Sequence, residues 1–409
     1  MSEKRIAVIG GGAAGFFAAV TAAEANPSAQ VVIYERGRQF LQKVKISGGG
    51  RCNVTHACFD PKKLALHYPR GSRELLGAFF HWQPKDTIRW FEDRGVALKT
   101  EPDGRMFPVT DSSQTIIDAL MRAARRAGVS LRSGTGIEAF HPLPNGGFRL
   151  DLKGGEQERA DVVLVAIGSL KGAKLSSSIE QVGHSITSLA PSLFAFNVTD
   201  ARLQDLAGVS LQEAEVNLIR SRRIQAGPLL ITHRGLSGPA VLKLSAWEAR
   251  GLQEADYHFP VSINWLGKQA GSSIQAQFHS WRQQAGKVMV KNRPFDGIPK
   301  RLWERLVEAA GIMPERTWAQ LSKAEAEKLE EEIVNCSLTV EGKTTHKEEF
   351  VTCGGVSLDE VNFRKMESKI VPGLFFAGEA LDFDGITGGF NFQAAWTTGR
   401  LAGLSMAAG

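Results

Sequence analysis

Arg5-Ile6-Ala7-Val8-Ile9-Gly10-Gly11-Gly12-Ala13-Ala14-Gly15-Phe16 is the stretch whose reading decides the fold. Its short run of branched apolar residues, Ile6 to Ile9, predicts a buried parallel strand. Phe16 to Ala25, rich in alanine and free of proline, predicts a helix. Between them the glycines fit G-x-G-x-x-G. Gly10 turns the chain, Gly12 lets backbone approach a pyrophosphate, and Gly15 lets helix and strand pack closely. Ala13 and Ala14 lie at the helix start, whose free amides and dipole favour phosphate charge. A second strand, Val31 to Tyr34, ends at Glu35, twenty residues past Gly15. There a carboxylate accepts from a ribose 2′-OH and repels a 2′-phosphate; Arg36 beside it joins the same candidate site. A bare glycine motif is weak evidence, but strand, loop, helix, strand and acid in one register are strong.

Lys4 and Arg5 ahead of an apolar stretch imitate a secretion signal, yet the glycines inside it and Asn26-Pro27 after it fit a phosphate loop better. No run approaches ~18 apolar residues, so no membrane span is expected. At 409 residues the chain has room for two or three domains and a large core. Its 43 glycines suit repeated close approaches of backbone to a ligand. Cys52, Cys58, Cys336 and Cys353 show neither C-x-x-C spacing nor a disulfide framework, which predicts a reducing cytoplasm. Net charge is +6, compatible with a polyanionic partner such as RNA but not diagnostic of one. Zinc-type His/Cys spacing, a nucleophile elbow and a P-loop are absent, and no metal site is expected.

The next informative stretch is Lys43-Val44-Lys45-Ile46-Ser47-Gly48-Gly49-Gly50-Arg51-Cys52-Asn53. Three glycines between Ser47 and Arg51 make a loop whose amides can face a ligand, and Arg51 offers a fork of donors to phosphate or a carbonyl. A flexible surface turn explains the glycines but not the polar side chains around them.

Following a dinucleotide loop, this Lys-x-x-x-Ser-Gly-Gly-Gly-Arg-Cys-Asn string resembles the BaiN/RdsA (YhiN-like) flavoproteins, and the resemblance runs nearly end to end. It implies an FAD-dependent oxidoreductase with a glutathione-reductase type of fold. The expected class is α/β: a three-layer Rossmann-like FAD-binding domain on a parallel sheet, with an inserted β-barrel-like plus helical domain. The character of the chain shifts near Pro191. The expected domains are 1–190 with 345–409 for FAD, 191–272 with 336–344 for the β-rich insert, and 273–335 for helices.

Further marks appear along the chain. Pro84 to Arg94 has helical spacing, Lys99 to Val109 suggests a hairpin, and Ser112 and Ser113 are candidate caps for a helix from Thr115 to Ala127. Leu131 to Ile137 resembles the strand and turn flanking the adenine, which brings Ile137 into the site. Asp161 to Gly168 predicts another central strand; where the family has Ala-Thr-Gly-Gly, this chain has Ala166-Ile167-Gly168-Ser169 and loses a hydroxyl. His233-Arg234-Gly235-Leu236-Ser237-Gly238-Pro239 matches the family and predicts a turn, then a helix from Pro239. Phe350 to Val356 predicts a strand, with Cys353 where the family commonly has alanine. Gly373 to Glu379 resembles the second FAD fingerprint, with Gly378 leading to Glu379, an acceptor for a ribityl hydroxyl. Asp384, Gly388, Gly389, Asn391 and Phe392 follow before a last helix, Ala394 to Met406. Its N-terminus is expected to point at the flavin N1–C2=O edge, where negative charge collects on reduction.

The expected activity is hydride transfer through flavin N5 to or from an activated C=C or C=N bond. No second G-x-G-x-x-G follows a strand, so NAD(P)H is expected to dock transiently as reductant without a Rossmann unit of its own. Cys52 and His233 are the candidate proton donors, the alternative for a lone histidine beside a turn being a structural role. The resemblance implies several substrate classes: uracil in ribosomal RNA giving dihydrouridine, steroid-like enones, and small amino-ketones. Lys287, Lys291, Arg293, Lys300, Arg301 and Arg305, with Trp281 and Trp303 interleaved, form the candidate RNA surface, against the plain reading of solvated helix faces. Two alternatives stand beside this: a flavin enzyme of a small metabolite, and an RNA-binding module in which FAD is structural.

Overall fold

The computed structural model describes residues 3–221, 223–268, 274–344 and 351–408. Phe350, Ser273 and the expected domain boundary at residue 345 lie outside the described residues. The chain divides into two compact units, Met1–Ala190 with Lys347–Gly409, and Pro191–His346.

The first unit is built on a seven-stranded sheet. From one edge its strands run Val361–Asn362, Glu367–Ser368, Leu374–Phe376, Val162–Val165, Arg5–Ile9, Gln30–Glu35 and Ser130–Ser133. The last five are parallel, with Ala7 facing Val163 on one side and Val32 on the other. Only the two short edge strands are antiparallel. Ile6 to Ile9 and Val162 to Val165 are buried throughout, as parallel strands covered on both faces must be. The first helix, Ala13–Ala25, is buried from Ala14 to Ala23 and has no polar stripe, because it lies inside the unit.

The terminal helix begins earlier than the sequence suggested and runs Phe390–Ala408 against the first. Glycines allow the approach: a Cβ on Gly399 would meet the Ala14 carbonyl oxygen at 2.6 Å, and one on Gly403 the Ala18 oxygen at 2.5 Å. Two helices the sequence reading did not assign, Pro61–Ala65 and Ser72–His81, lie in the segment between the third strand, Thr55–His56, and the helix Pro84–Glu92. The helix expected from Thr115 runs Ser113–Arg126, capped by the Ser112 hydroxyl, which accepts from the Gln114 amide at 3.3 Å.

The second unit holds a closed six-stranded barrel of Ala195–Asn197, Gly235–Ser237, Arg223–Thr232, Ser210–Leu218, His258–Asn264 and Cys336–Thr344. Closure removes the exposed edges that would template aggregation. One hydrophobic core passes from barrel residues such as Val216 and Ile263 to Trp303, Trp318 and Leu329 of the helical stretch. The helix expected from Pro239 runs Pro239–Trp247 with that proline in its first turn. Among the described residues no helix is long and apolar enough to cross a membrane.

Candidate functional site

The first glycine loop has the geometry its spacing implies. Gly10 sits at φ +113°, its amide donates to the Tyr34 carbonyl at 2.8 Å, and a Cβ there would meet the Ala166 oxygen at 2.4 Å. At Gly15 a Cβ would lie 2.0 Å from the Gly10 oxygen, so glycine is required for strand and helix to meet. Gly12 differs: it is the N-cap of the first helix, no side chain caps that end, and nothing stands within 4 Å of where its Cβ would be. A helix start left uncapped beside open space is the place for an anion. Glu35 closes the loop, its two oxygens accepting from the Gly11 amide at 2.8 Å and the Gly37 amide at 2.6 Å. A carboxylate has about four acceptor positions, so capacity for a ribose hydroxyl is left. The Arg36 side chain lies against Gly136, and Ile137 begins the next strand, buried.

Three residues far apart in sequence converge on the other side of the loop. Lys43 Nζ pairs with Glu379 Oε2 at 2.5 Å, and the Thr352 amide donates to the other Glu379 oxygen at 2.9 Å. Gly168, at φ +76°, is where a Cβ would lie 3.6 Å from that same Glu379 oxygen and 3.7 Å from Lys43 Nζ. Gly378, at φ +69°, precedes the carboxylate and packs on Ala14.

The Ser47–Asn53 stretch is a kinked helix end. Ser47 is extended and its hydroxyl donates to the Val44 carbonyl at 2.9 Å, while Gly48 and Gly49 are left-handed. Nothing lies within 4 Å of a Cβ on Gly49 or Gly50, so this backbone borders open space. Arg51 was expected to offer its fork to a ligand. Instead its guanidinium pairs with Glu101 at 2.7 Å and Asp111 at 3.3 Å and lies 3.9 Å over the Phe107 ring. Hydrogen bonding from Lys99, with Arg51 second, holds the Asp111 carboxyl below its ordinary range. Cys52 is fully buried at φ +61°, and burial pushes its thiol up to about 12, which keeps the proton on sulfur at neutral pH. With the Asn53 amide oriented to satisfy both ends, its nitrogen donates to the Thr55 and Met106 carbonyls at 3.0 and 3.3 Å and its oxygen accepts from the Gly389 amide at 3.0 Å.

That last bond ties the first cysteine-containing stretch to the glycine turn before the terminal helix. Gly389 is at φ +91°, and a Cβ there would meet the Thr55 oxygen at 2.5 Å; at Gly388, φ +129°, it would meet the Phe390 ring at 2.8 Å. Asp384 and Asn391 are tied into the turn itself. Arg70 takes both oxygens of the wholly buried Asp384, and the Asn391 amide closes on the backbone of Gly385 with two bonds of 2.8 Å. Phe392 stacks on Trp396 at 5.6 Å, and the Trp396 indole donates to the Val54 carbonyl at 2.9 Å.

Sequence reasoning missed the residues that grip this turn from the segment 56–70. The His56 and His67 rings both stack on Phe390, at 4.7 and 4.2 Å between centroids, and the Tyr68 hydroxyl donates to the Phe390 carbonyl at 2.6 Å. No periodicity marks these residues; His67-Tyr68-Pro69-Arg70 is an irregular connection whose partner lies more than 300 residues onward.

In the second unit His233 is exposed, in the tight turn between the strands Arg223–Thr232 and Gly235–Ser237. The aromatic half of the expected RNA surface is corrected by burial. Trp303 is 0% exposed with its indole donating to the Val290 carbonyl at 2.9 Å, and Trp281 is 7% exposed in a cluster with Trp318 and Phe295. Neither ring is free to stack on a base. Lys300 pairs with Glu304 at 3.9 Å, Arg305 with Glu308 at 3.3 Å and Asp205 at 3.8 Å, Arg301 donates to the Asp205 carbonyl, and Arg293 lies over Trp281. Lys287 is exposed and Lys291 half-buried.

The donor set, an uncapped glycine-rich helix start, an acid at the end of the second strand and a Lys–Glu pair beside Gly168, fits a dinucleotide. Comparison with known proteins agrees. The family described as HI0933-like protein Rossmann domain matches residues 4–405. A protein of Clostridium scindens named 3-dehydro-bile acid delta(4,6)-reductase is 30% identical over 98% of this chain and 99% of its own. A ribosomal RNA dihydrouridine synthase of Escherichia coli is 30% identical over 96% of this chain and 95% of its own. Among solved structures, a 3-ketosteroid-delta4-(5alpha)-dehydrogenase from Rhodococcus jostii has the same fold, with a TM-score of 0.54 at 15% identity, covering 100% of this chain and 98% of that one.

Proposed function

The chain belongs to the HI0933-like Rossmann family of FAD-dependent oxidoreductases, and from that premise we propose that it reduces a C=C bond conjugated to a carbonyl, the acceptor being uridine in ribosomal RNA and NAD(P)H the external reductant. A relative named as a reductase of a 3-dehydro bile acid and another named as a dihydrouridine synthase face the same chemical problem. Reduction of such a conjugated bond adds hydride to the carbon remote from the carbonyl and a proton to the nearer one.

A bound FAD supplies the two-electron hydride chemistry that side chains lack. The observation that carries the reading is the pairing of two glycine-led helix starts. Gly12 leads the first helix and Gly388–Gly389 the terminal one, and Gly399 lets these helices pack closely. Gly12 and the amides that follow it, including Ala13 and Ala14, would hold the pyrophosphate, and Glu35 would orient the ribose. Lys43 fixes the Glu379 carboxylate towards Gly168, where it would accept from a ribityl hydroxyl. Gly388 and Gly389 would let the terminal helix bring its positive end to the carbonyl edge of the flavin. We assign the accompanying proton to Cys52, which lies in the same unit as these residues.

The net charge of +6 favours a polyanionic substrate, and a uracil reduced in RNA must first be unstacked. The nicotinamide docks without a Rossmann unit of its own, and four cysteines held as thiols support a reducing, cytoplasmic setting. The test is dihydrouridine in ribosomal RNA from a deletion strain, together with anaerobic mixing of the purified yellow protein with NADH and NADPH. Loss of dihydrouridine and bleaching of the flavin are expected. An unchanged dihydrouridine level with turnover of a steroid-like enone would move the assignment to a small-molecule reductase.

A further inference from the structure

The stretch Phe59–Lys85 of the first unit combines charged and apolar surface. In Phe59–Lys85, three large hydrophobic side chains stand in solvent: Phe59 at 40%, Leu66 at 68% and Phe80 at 62% exposure. The helix Ser72–His81 buries Leu75, Ala78 and Phe79, while Arg73, Gly77 and Phe80, spaced i, i+4 and i+7, are exposed on the other face. Lys62, Lys63 and Lys85 are exposed as well, and Lys85 Nζ lies 5.6 Å from the centre of the Phe59 ring.

The nearby acids are engaged with backbone amides or half-buried, Asp60 alone among them being exposed. Asp60 caps the helix Pro61–Ala65 by accepting from the Lys62 amide at 2.8 Å, and Asp86 accepts from the Gln83 amide at 2.9 Å. Glu74 is half-buried in the first turn of its helix. Among the described residues no carboxylate forms an ion pair with Lys62, Lys63, Arg73 or Lys85, whereas Lys300 and Arg305 of the surface expected from sequence are both paired. Unneutralised cations around exposed aromatic rings are what a single-stranded polyanion with stackable bases requires.

The stretch is also anchored to the cofactor-site turn. Phe59 follows the strand Thr55–His56, whose Thr55 carbonyl closes on Gly389 and whose His56 ring stacks on Phe390. Leu66 precedes His67, which stacks on the same Phe390.

We propose that the outer face of the two helices Pro61–Ala65 and Ser72–His81, with Phe59 and Lys85, is the surface that grips single-stranded RNA next to the flavin site. This rests on the reading of uridine in RNA as substrate. Phe59 and Phe80 stack on bases, and Lys62, Lys63, Arg73 and Lys85 neutralise phosphates.

The experiment uses the full-length flavin-loaded protein, a labelled uridine-rich single-stranded RNA oligonucleotide, and phosphatidylglycerol vesicles as a second anionic probe. Phe59→Ala/Phe80→Ala is expected to weaken RNA binding roughly five-fold or more, as loss of base stacking does. Lys62→Glu/Lys63→Glu is expected to lower the slope of log affinity against log salt by about 0.7 per lost phosphate contact. Both should keep the wild-type flavin content and visible spectrum, which reports folding. If the wild type binds RNA and the Phe59/Phe80 and Lys62/Lys63 variants bind equally well, this surface is wrong while the uridine reading stands. If the wild type binds no RNA and the deletion strain keeps its dihydrouridine, both fall. Binding to vesicles but not to RNA would overturn the proposal in favour of a membrane surface.

Discussion

Arg70 holds both carboxylate oxygens of Asp384, a residue with no exposed surface, across more than 300 residues of sequence. The pair locks the start of the Asp384–Asn391 turn, which Ile386, Gly385 and Gly389 then fasten to His67, Asn391 and Asn53.

Breaking the pair from one side leaves a charge buried without its partner. Arg70→Met is expected to cost about 3–5 kcal/mol, whereas Arg70→Met/Asp384→Leu, which removes both charges, should regain most of that. Urea unfolding of the two variants measures it; equal losses in both would show that packing, not charge, holds the turn.

Gly12 and Gly15 separate cofactor binding from folding. A Cβ on Gly15 runs into the Gly10 oxygen at 2.0 Å, so Gly15→Ala should destabilise the protein by about 1–3 kcal/mol, the cost of overpacking. Gly12 has φ −93° and open space beyond it, so Gly12→Ala should melt like the wild type yet bind FAD more weakly. Thermal melts without FAD and fluorescence titration with it check both; a Gly12→Ala protein with unaltered FAD affinity would remove the pyrophosphate from this loop.

Alkaline pH should destabilise the first unit through its buried acids. Burial raises the Cys52 thiol from an ordinary 9.0 to about 12, and raises the Tyr68 phenol as well. A raised folded value means that the native state keeps a proton the unfolded chain loses. Stability is therefore full below about pH 9 and falls as pH rises towards 12, by at most ~1.4 kcal/mol per pH unit per group. Melting temperature against pH, with Cys52→Ala giving a shallower fall than the wild type, is the measurement. Cys58, the half-buried thiol, should be the first of the four to react with a thiol reagent.

Legibility followed distance along the chain. The helix Ser113–Arg126 and the turn into Pro239–Trp247 were readable because cap and proline signals act on amides a few residues away. Pro61–Ala65 and Ser72–His81 were not read: the first has only five residues, and an exposed Phe80 and Leu66 spoil the apolar stripe that marks a helix. Trp281 and Trp303 misled for a related reason. Lysines and arginines alternate with them in sequence, but the helix period turns the charges outward and the indoles into the core.

What could be derived from residue order alone was the strand, glycine loop, helix and acid of the first 35 positions. A backbone that must turn at Gly10 and pack at Gly15 states its geometry locally. Which polar groups oppose one another could not be derived that way. Lys43 with Glu379, Asn53 with Gly389 and Arg70 with Asp384 meet only after the parallel sheet has drawn both ends of the chain together. A side chain's partner across hundreds of residues leaves no periodic trace, so burial and charge pairing settle there what each residue is left free to do.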